Sequence, residues 1–140
     1  MRFAIVVGRF YEDLAERLVS SATRTFRDAG ADEIDVFDVP GAYELPFAAL
    51  QVAQTGRYVG VACLGAVIRG ETSHYDHVCE ESARGIMDVS LRTGVPCSFG
   101  VLTVDTMEQA IARSGGDKRD QGAHAAEAVL ALVRLRQAVA

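Results

Sequence analysis

Short apolar segments alternate with longer amphipathic segments along this chain of 140 residues, and this alternation restricts the possible folds more than any other feature. The apolar segments have the length of strands, and most are hydrophobic throughout, as strands buried on both faces are. They cover residues 3–7, 34–39, 58–67 and 97–104. The amphipathic segments repeat apolar residues every three or four positions, which predicts helices. They cover residues 13–29, 44–54, 73–93 and 122–136, with a further short helix that ends at Arg113.

This order of elements predicts the α/β class. Strands that alternate with helices form parallel sheets with both faces covered. We therefore expect a three-layer αβα sandwich of flavodoxin-like type, with a four-stranded parallel sheet and helices on both faces. The length, together with the absence of a Pro- or Ser-rich linker, indicates a single domain over residues 1–140.

Composition excludes several classes of function. A net charge of −5 provides no basic field for nucleic acid or for an anionic membrane surface. No apolar run approaches the roughly 18 residues of a membrane span, and the N-terminal one is too short for a signal peptide. Cys63 and Cys97 lie in apolar segments and Cys79 follows a valine on the predicted inner face of a helix, which favours reduced, buried thiols and a cytoplasmic location.

The loops at one edge of the predicted sheet are the best candidates for a functional site. Ligands of parallel sheets bind beyond the carboxyl ends of the strands. The loops predicted there cover residues 8–11, 40–44, 68–74 and 105–106. Three of the four are rich in glycine, aromatic or ionisable residues, so we expect the chemistry among them.

The segment from Gly65 to Thr72 runs from a strand into a helix and has the spacing G-x-x-x-x-G-x-T. A nucleotide-binding loop needs lysine where this chain has Glu71, because lysine neutralises the phosphates. Backbone N–H groups at the helix start still suit a smaller anion. A plain strand–turn–helix junction, with Ser73 and Asp76 as a capping box, explains the same residues.

His74 is a candidate for proton transfer. It falls at the first position of the predicted helix, where the positive helix end disfavours the imidazolium, and a neutral imidazole beside an anion can move protons. A capping or surface histidine is the alternative.

We expect no metal, because His74 and His77 lack a second cluster of ligands. Cys79, predicted on the inner helix face with Tyr75, is a weak candidate for a nucleophile.

Three further side chains have both a functional and a structural interpretation. Phe10 and Tyr43 lie in loops at the ligand edge, where an aromatic ring either stacks on a planar heterocycle or covers the core. Arg113 either binds a phosphate or only complements a helix end.

The single lysine, Lys118, lies in a polar loop over residues 114–122 and is badly placed as a Schiff-base nucleophile. If imine chemistry occurs, we expect the amine to belong to a substrate.

Taken together, these segments resemble the lumazine synthase family over residues 3–132. The matching stretches are IVVGRF at 5–10, VPGAYELP at 39–46, LGAVIRGETSHYD at 64–76, TGVPCSFGVLT at 93–103 and TMEQAIAR at 106–113. The resemblance implies a cofactor-free condensation of 5-amino-6-(D-ribitylamino)uracil with 3,4-dihydroxy-2-butanone 4-phosphate. The products are 6,7-dimethyl-8-ribityllumazine, phosphate and water, in the penultimate step of riboflavin biosynthesis.

The resemblance also implies roles for individual residues. His74 is expected to transfer protons, and Arg113 to bind the phosphate together with backbone groups of Glu71 and Thr72. Phe10 is expected to stack on the pyrimidine, and Phe99 to cover its ring. The residues expected to hold the ribityl chain and line the ring site are Ala42, Tyr43, Glu44, Ala66, Val67 and Ile68.

In the family, the counterparts of Phe99 and Arg113 reach into a neighbouring subunit, so we expect a homo-oligomer with shared sites. The family builds pentamers, and some members assemble icosahedral shells. This chain has Gly8, Tyr11 and the loop ending at residues 119–122 where the family has other residues, and it starts at its first core strand. The start at the first core strand and the altered loop favour a free pentamer or a dimer of pentamers over a shell.

Two alternatives share the same motifs. One is a carrier of lumazine or flavin that has lost turnover, although a carrier needs neither His74 nor Arg113. The other is a different enzyme for a phosphorylated sugar, which uses the same anion loop and has no affinity for the ribitylaminouracil.

Overall fold

The structure, a computed structural model, describes residues 1–115 and 118–140 and contains four strands and five helices over those residues. The predicted polar loop 114–122 includes residues 116 and 117, which lie outside the described residues. The strands are β1 (Arg2–Gly8), β2 (Glu33–Val39), β3 (Gly60–Ile68) and β4 (Cys97–Val104). The helices are α1 (Glu12–Asp28), α2 (Leu45–Gln54), α3 (His74–Thr93), α4 (Met107–Arg113) and α5 (Gln121–Val139), and a 3₁₀ turn (Ala42–Glu44) precedes α2.

The four strands form one parallel sheet in the order β2-β1-β3-β4, which confirms the predicted class and layer arrangement. Helices α1 and α5 bury one face of the sheet, where Phe3, Phe26 and Val129 are fully enclosed. Helices α2 and α3 bury the other face around Leu45 and Ile86. Strand β2 lies on one side of β1, whereas β3 and then β4 lie on the other side. The direction in which strands are added therefore reverses between β1 and β3. A crevice at such a reversal is the usual ligand site of an open α/β sheet.

The start of α3 differs from the prediction. Ser73 is the N-cap, but its side chain makes no capping hydrogen bond, so the predicted capping box is wrong. Asp76 lies 3.7 Å from the Arg69 guanidinium instead. The inner face of α3 differs only in its first turns, where Val78 is buried and Tyr75 and Cys79 are half-buried; Ser82, Ile86 and Val89 are buried, as predicted.

The end of β1 packs against the backbone of the next loop. A Cβ atom at Gly8 would lie 2.8 Å from the carbonyl carbon of Gly41 and 3.1 Å from the nitrogen of Ala42. Real Cβ atoms do not approach a backbone so closely, so only glycine fits here. This contact brings the loop after β1 beside the 3₁₀ turn, and the two together form one wall of a cavity.

Among the described residues, no helix is both long and apolar enough to cross a membrane.

Candidate active site

A cavity of about 410 Å³ opens at the carboxyl edge of the sheet, at the reversal between β1 and β3. It is enclosed by the loops after β1 and β2, the end of β3 and the first turns of α3. The residues that line it are Phe10, Tyr11, Pro40, Gly41, Ala42, Tyr43, Glu44, Ala66, Val67, Ile68, His74 and Val78. Three of the four loops predicted to lie at the ligand edge therefore contribute to one cavity.

Arg9 holds the loop after β1 in place. Its backbone N–H donates to the Val39 carbonyl at 3.0 Å, and its Nε donates to Asp38 at 2.6 Å. The same guanidinium also donates to Glu12 and Glu16 in the first turns of α1. The hydrogen bonds that Arg9 donates, first to Asp38 and then to Glu16, raise the pKa of Arg9 above its ordinary value. A permanently charged clamp thus joins β1, β2 and α1 directly beside Phe10.

The 3₁₀ turn presents a small, an aromatic and an acidic residue in sequence. Ala42 is buried, whereas Tyr43 is 62% exposed at the cavity. Glu44 turns back on its own loop, and its Oε1 accepts a hydrogen bond from the Gly41 N–H at 2.9 Å. That bond fixes the turn while leaving the carboxylate beside the cavity.

The last three residues of β3 form the floor of the cavity. Ala66, Val67 and Ile68 are half-buried, in contrast to the fully buried residues earlier in the strand. Val67 packs against the α2–α3 side of the sheet, whereas Ala66 and Ile68 pack against the α1–α5 side. The alternation of a strand therefore supplies an apolar surface at the point where the sheet ends.

His74 is the first residue of α3, and its ring is exposed at the cavity. Its backbone N–H donates to the Thr72 hydroxyl at 3.3 Å. Val78 lines the cavity one turn later, because residues four positions apart share a helix face. The imidazole thus stands at a helix N-terminus, where N–H groups without helical partners favour an anion.

Arg69 is engaged by neighbouring side chains. Its Nε donates to Asp105 at 2.8 Å, and its guanidinium lies 4.3 Å from the centre of the Tyr75 ring. Its backbone N–H donates to the Val104 carbonyl at 2.9 Å. These contacts hold the loop after β3 against the end of β4, so the role of Arg69 is structural.

The predicted site residues fall into two groups. Eight of them line the cavity: Phe10, Ala42, Tyr43, Glu44, Ala66, Val67, Ile68 and His74. Glu71 and Thr72 lie in the exposed loop before α3, outside the lining. Phe99 lies within β4, where its carbonyl accepts a hydrogen bond from Gln121 at 3.5 Å. Arg113 lies at the end of α4 and donates to the Gln109 carbonyl at 3.2 Å. Neither of the last two lines the cavity of its own chain.

Four lining residues were missing from the predicted set: Tyr11, Pro40, Gly41 and Val78. The first three lie in loops that were predicted at the ligand edge, so their position was foreseeable although their role was not. Val78 was foreseeable from its spacing of four residues from His74. The register predicted for α3 placed Cys79 inward instead.

The thiols are poorly suited to nucleophilic chemistry. Burial raises the pKa of Cys97 to about 11 and raises the pKa of Cys63 well above its ordinary value. Burial also raises the pKa of the half-buried Cys79. A protonated thiol is a weak nucleophile. Over the described part of the chain, no cluster of three or more His, Cys, Asp or Glu residues could hold a metal ion.

Comparison with known proteins identifies the group to which this arrangement belongs. The family model for 6,7-dimethyl-8-ribityllumazine synthase matches residues 1–137. The 6,7-dimethyl-8-ribityllumazine synthase of Salinibacter ruber is 50% identical over 136 residues, which cover 96% of this chain and 87% of that protein. The chloroplastic 6,7-dimethyl-8-ribityllumazine synthase of Spinacia oleracea is 47% identical over 135 residues, covering 96% of this chain and 61% of that protein. The chain therefore belongs to the 6,7-dimethyl-8-ribityllumazine synthase family.

Proposed function

We propose that this chain condenses 5-amino-6-(D-ribitylamino)uracil with 3,4-dihydroxy-2-butanone 4-phosphate at the cavity between β1 and β3. The products are 6,7-dimethyl-8-ribityllumazine, phosphate and water. The observation that carries this assignment is the cavity itself, since it joins an aromatic ring, an apolar floor, a carboxylate and an imidazole in one space. This combination of surfaces suits a planar heterocycle that carries a polyhydroxylated side chain.

The pyrimidine ring binds between Phe10 and the floor formed by the end of β3. Phe10 is 75% exposed, so its ring is available to stack on a flat ligand. The residues of the 3₁₀ turn hold the ribityl chain and the edge of the ring. Glu44 supplies the acceptor there, because its second carboxylate oxygen can bind ligand N–H or O–H groups while the first caps the turn.

The phosphate of the second substrate binds at the start of α3. Backbone groups of Glu71 and Thr72 and the helix N-terminus offer donors to its oxygens. His74, adjacent to this position, transfers protons as the imine forms between the two substrates and as phosphate leaves. The amine in that imine belongs to the uracil substrate, since Lys118 is exposed and lies outside the cavity lining.

The complete site includes residues from a neighbouring subunit. As the resemblance implies, Phe99 of that neighbour covers the heterocycle and its Arg113 binds the phosphate; the position of both residues outside the cavity of their own chain supports this. The exposed apolar side chains of Phe47 (70%), Met87 (60%) and Leu91 (76%) support an assembled state. Met87 and Leu91 lie four residues apart on α3 and so share one helix face, and contiguous exposed apolar surface marks interaction sites. A ring of five chains, or a pair of such rings, provides each cavity with a neighbour.

A reducing compartment such as the cytoplasm suits the three free cysteines, which form no disulfide in the structure.

The proposal is tested by mixing the purified protein with both substrates and following the formation of the coloured lumazine and the release of phosphate. The two are expected to appear in equal amounts over many turnovers. Binding of the ribitylaminouracil without phosphate release would indicate a carrier, and a lack of measurable affinity for that substrate would indicate a different enzyme.

A further inference from the structure

We propose that Tyr11 is a positioning residue, which holds the Phe10 ring in the orientation that stacks on the heterocyclic substrate. This inference rests on the proposed function, in which Phe10 binds the pyrimidine. It concerns a residue to which the resemblance assigns no role. Both side chains line the cavity, but their surroundings differ strongly.

Phe10 has little to hold it. Its side chain is 75% exposed, more than nearly all the other large hydrophobic side chains in the described part of the chain. An exposed side chain samples several rotamers and loses that freedom when it stacks on a ligand. Binding is weaker by this entropy cost unless another group has already restricted the ring.

Tyr11 is anchored in two ways. Its side chain is half-buried and packs against the core between the sheet and α1. Its backbone is the N-cap of α1, and its carbonyl accepts a hydrogen bond from the Ala15 N–H at 2.9 Å. The Tyr11 ring is therefore less free to move than the exposed ring of Phe10.

The two rings contact each other in a way that suits ligand stacking. Their centroids are 4.9 Å apart and their planes make an angle of 76°, which is an edge-to-face arrangement. In such a pair only one face of a single ring is covered, so at least one face of Phe10 stays free. Edge-to-face contacts are favourable for aromatic rings. Tyr11 can thus orient Phe10 while a face of the Phe10 ring remains open to a planar ligand.

A double-mutant cycle tests whether Tyr11 acts through Phe10. We expect Tyr11→Leu to raise the KM for the ribitylaminouracil by about 3- to 10-fold, with kcat and the KM for the butanone phosphate unchanged within about twofold. In the Phe10→Leu background, Tyr11→Leu should raise the KM no further, since the ring to be oriented is gone. Tyr11→Phe keeps the edge contact and is expected to rescue the affinity that leucine loses.

The Phe37–Tyr58 pair provides a matched control. It has the same edge-to-face geometry, with centroids 6.1 Å apart, but lies outside the cavity lining. Phe37→Leu removes a comparable contact and should leave the KM for the ribitylaminouracil unchanged. Thermal midpoints of all variants show whether any of them is poorly folded.

The outcomes separate this inference from the proposed function. If Phe10→Leu raises the KM for the ribitylaminouracil but Tyr11→Leu does not, only the role of Tyr11 is wrong. The same conclusion follows if Tyr11→Leu raises both KM values equally, or has an undiminished effect in the Phe10→Leu background. If Phe10→Leu itself has no effect, stacking on Phe10 fails, and the role of Tyr11 fails with it.

Discussion

At the scale of single residues, His74 and Cys97 show how position determines chemistry. Both types of side chain can exchange protons near neutral or mildly alkaline pH. His74 is exposed at a helix N-terminus and borders the cavity, so it is available to a substrate. Cys97 is buried at the start of β4, so its ionisation is coupled to folding instead.

Replacing His74 with alanine should reduce turnover by roughly 10²-fold or less, because general acid–base catalysis contributes about this much or somewhat more and the condensation also proceeds slowly unaided. The measurement is the steady-state kcat with both substrates saturating. His77→Ala is the matched control, since His77 is exposed on the same helix but does not line the cavity. An unchanged kcat in His74→Ala would remove the residue from the reaction.

Alkaline conditions should destabilise the protein through Cys97. Burial raises its pKa from an ordinary value of 9.0 to about 11, so the folded chain keeps the proton when the unfolded chain has lost it. This stabilisation is complete below about pH 9 and is lost as the pH rises toward 11, by up to about 3 kcal/mol.

Urea unfolding at about pH 8 and about pH 10.5, under reducing conditions and at fixed protein concentration, measures this loss. Cys97→Ala should show a smaller decrease in the free energy of unfolding between the two pH values than the wild type. Cys63 contributes in the same direction, so some decrease remains. An identical decrease in both proteins would mean that Cys97 does not titrate with unfolding.

At the scale of elements, close backbone approaches determine how helices lie on the sheet. Gly122 at the start of α5 faces α1, and a Cβ atom there would lie 2.3 Å from the Leu18 carbonyl oxygen. Gly8 performs the same function where β1 meets the 3₁₀ turn. Hydrophobic periodicity does not predict the need for glycine at either position. It predicts which segments form helices and strands, but not how closely their backbones approach.

Gly122→Ala should therefore lower the free energy of unfolding by about 1–3 kcal/mol, because a methyl group cannot be accommodated against a backbone oxygen without moving α5. The gain in helix propensity on replacing glycine is smaller than this cost. Thermal or denaturant unfolding measures the change. Glu127→Ala, on the exposed side of the same helix, is expected to stay within about 0.5 kcal/mol of wild type. Equal stability of Gly122→Ala would show that α5 shifts without cost.

At the scale of the whole molecule, the proposed site is divided between chains. His74 borders the cavity of its own subunit, whereas Arg113 lies at the end of α4 and outside that cavity. If the proposed division is right, a single chain cannot bring the imidazole and the guanidinium to one substrate, and we expect activity to depend on assembly.

Co-expression of His74→Ala and Arg113→Ala chains tests this division. Arg113→Ala alone should raise the KM for the butanone phosphate, since a charged partner of the phosphate is lost. In mixed rings at equal ratio, about a quarter of the interfaces pair an intact histidine with an intact arginine from the neighbour. Activity at low butanone phosphate should therefore exceed that of either variant alone. If both residues served the same chain's site, mixing would restore nothing.

Local patterns in the sequence determined the fold class and most of the secondary structure. Alternating apolar and amphipathic segments depend on the periods of strands and helices, so the parallel α/β sandwich and most element boundaries followed from the pattern. The loop around Gly70 before His74 and the aromatic residue after Arg9 were recognisable for the same reason, since a motif is a set of neighbours in sequence.

Only the tertiary structure decided which of these motifs meet. The reversal of strand order between β1 and β3 brings Phe10, the 3₁₀ turn and His74 around one cavity, and it leaves Phe99 and Arg113 outside that cavity. The contact between Phe10 and Tyr11 and the burial of Val78 in place of Cys79 also depend on packing. Distances across a fold result from how whole elements pack together, and this information is distributed over the chain rather than carried by any single segment.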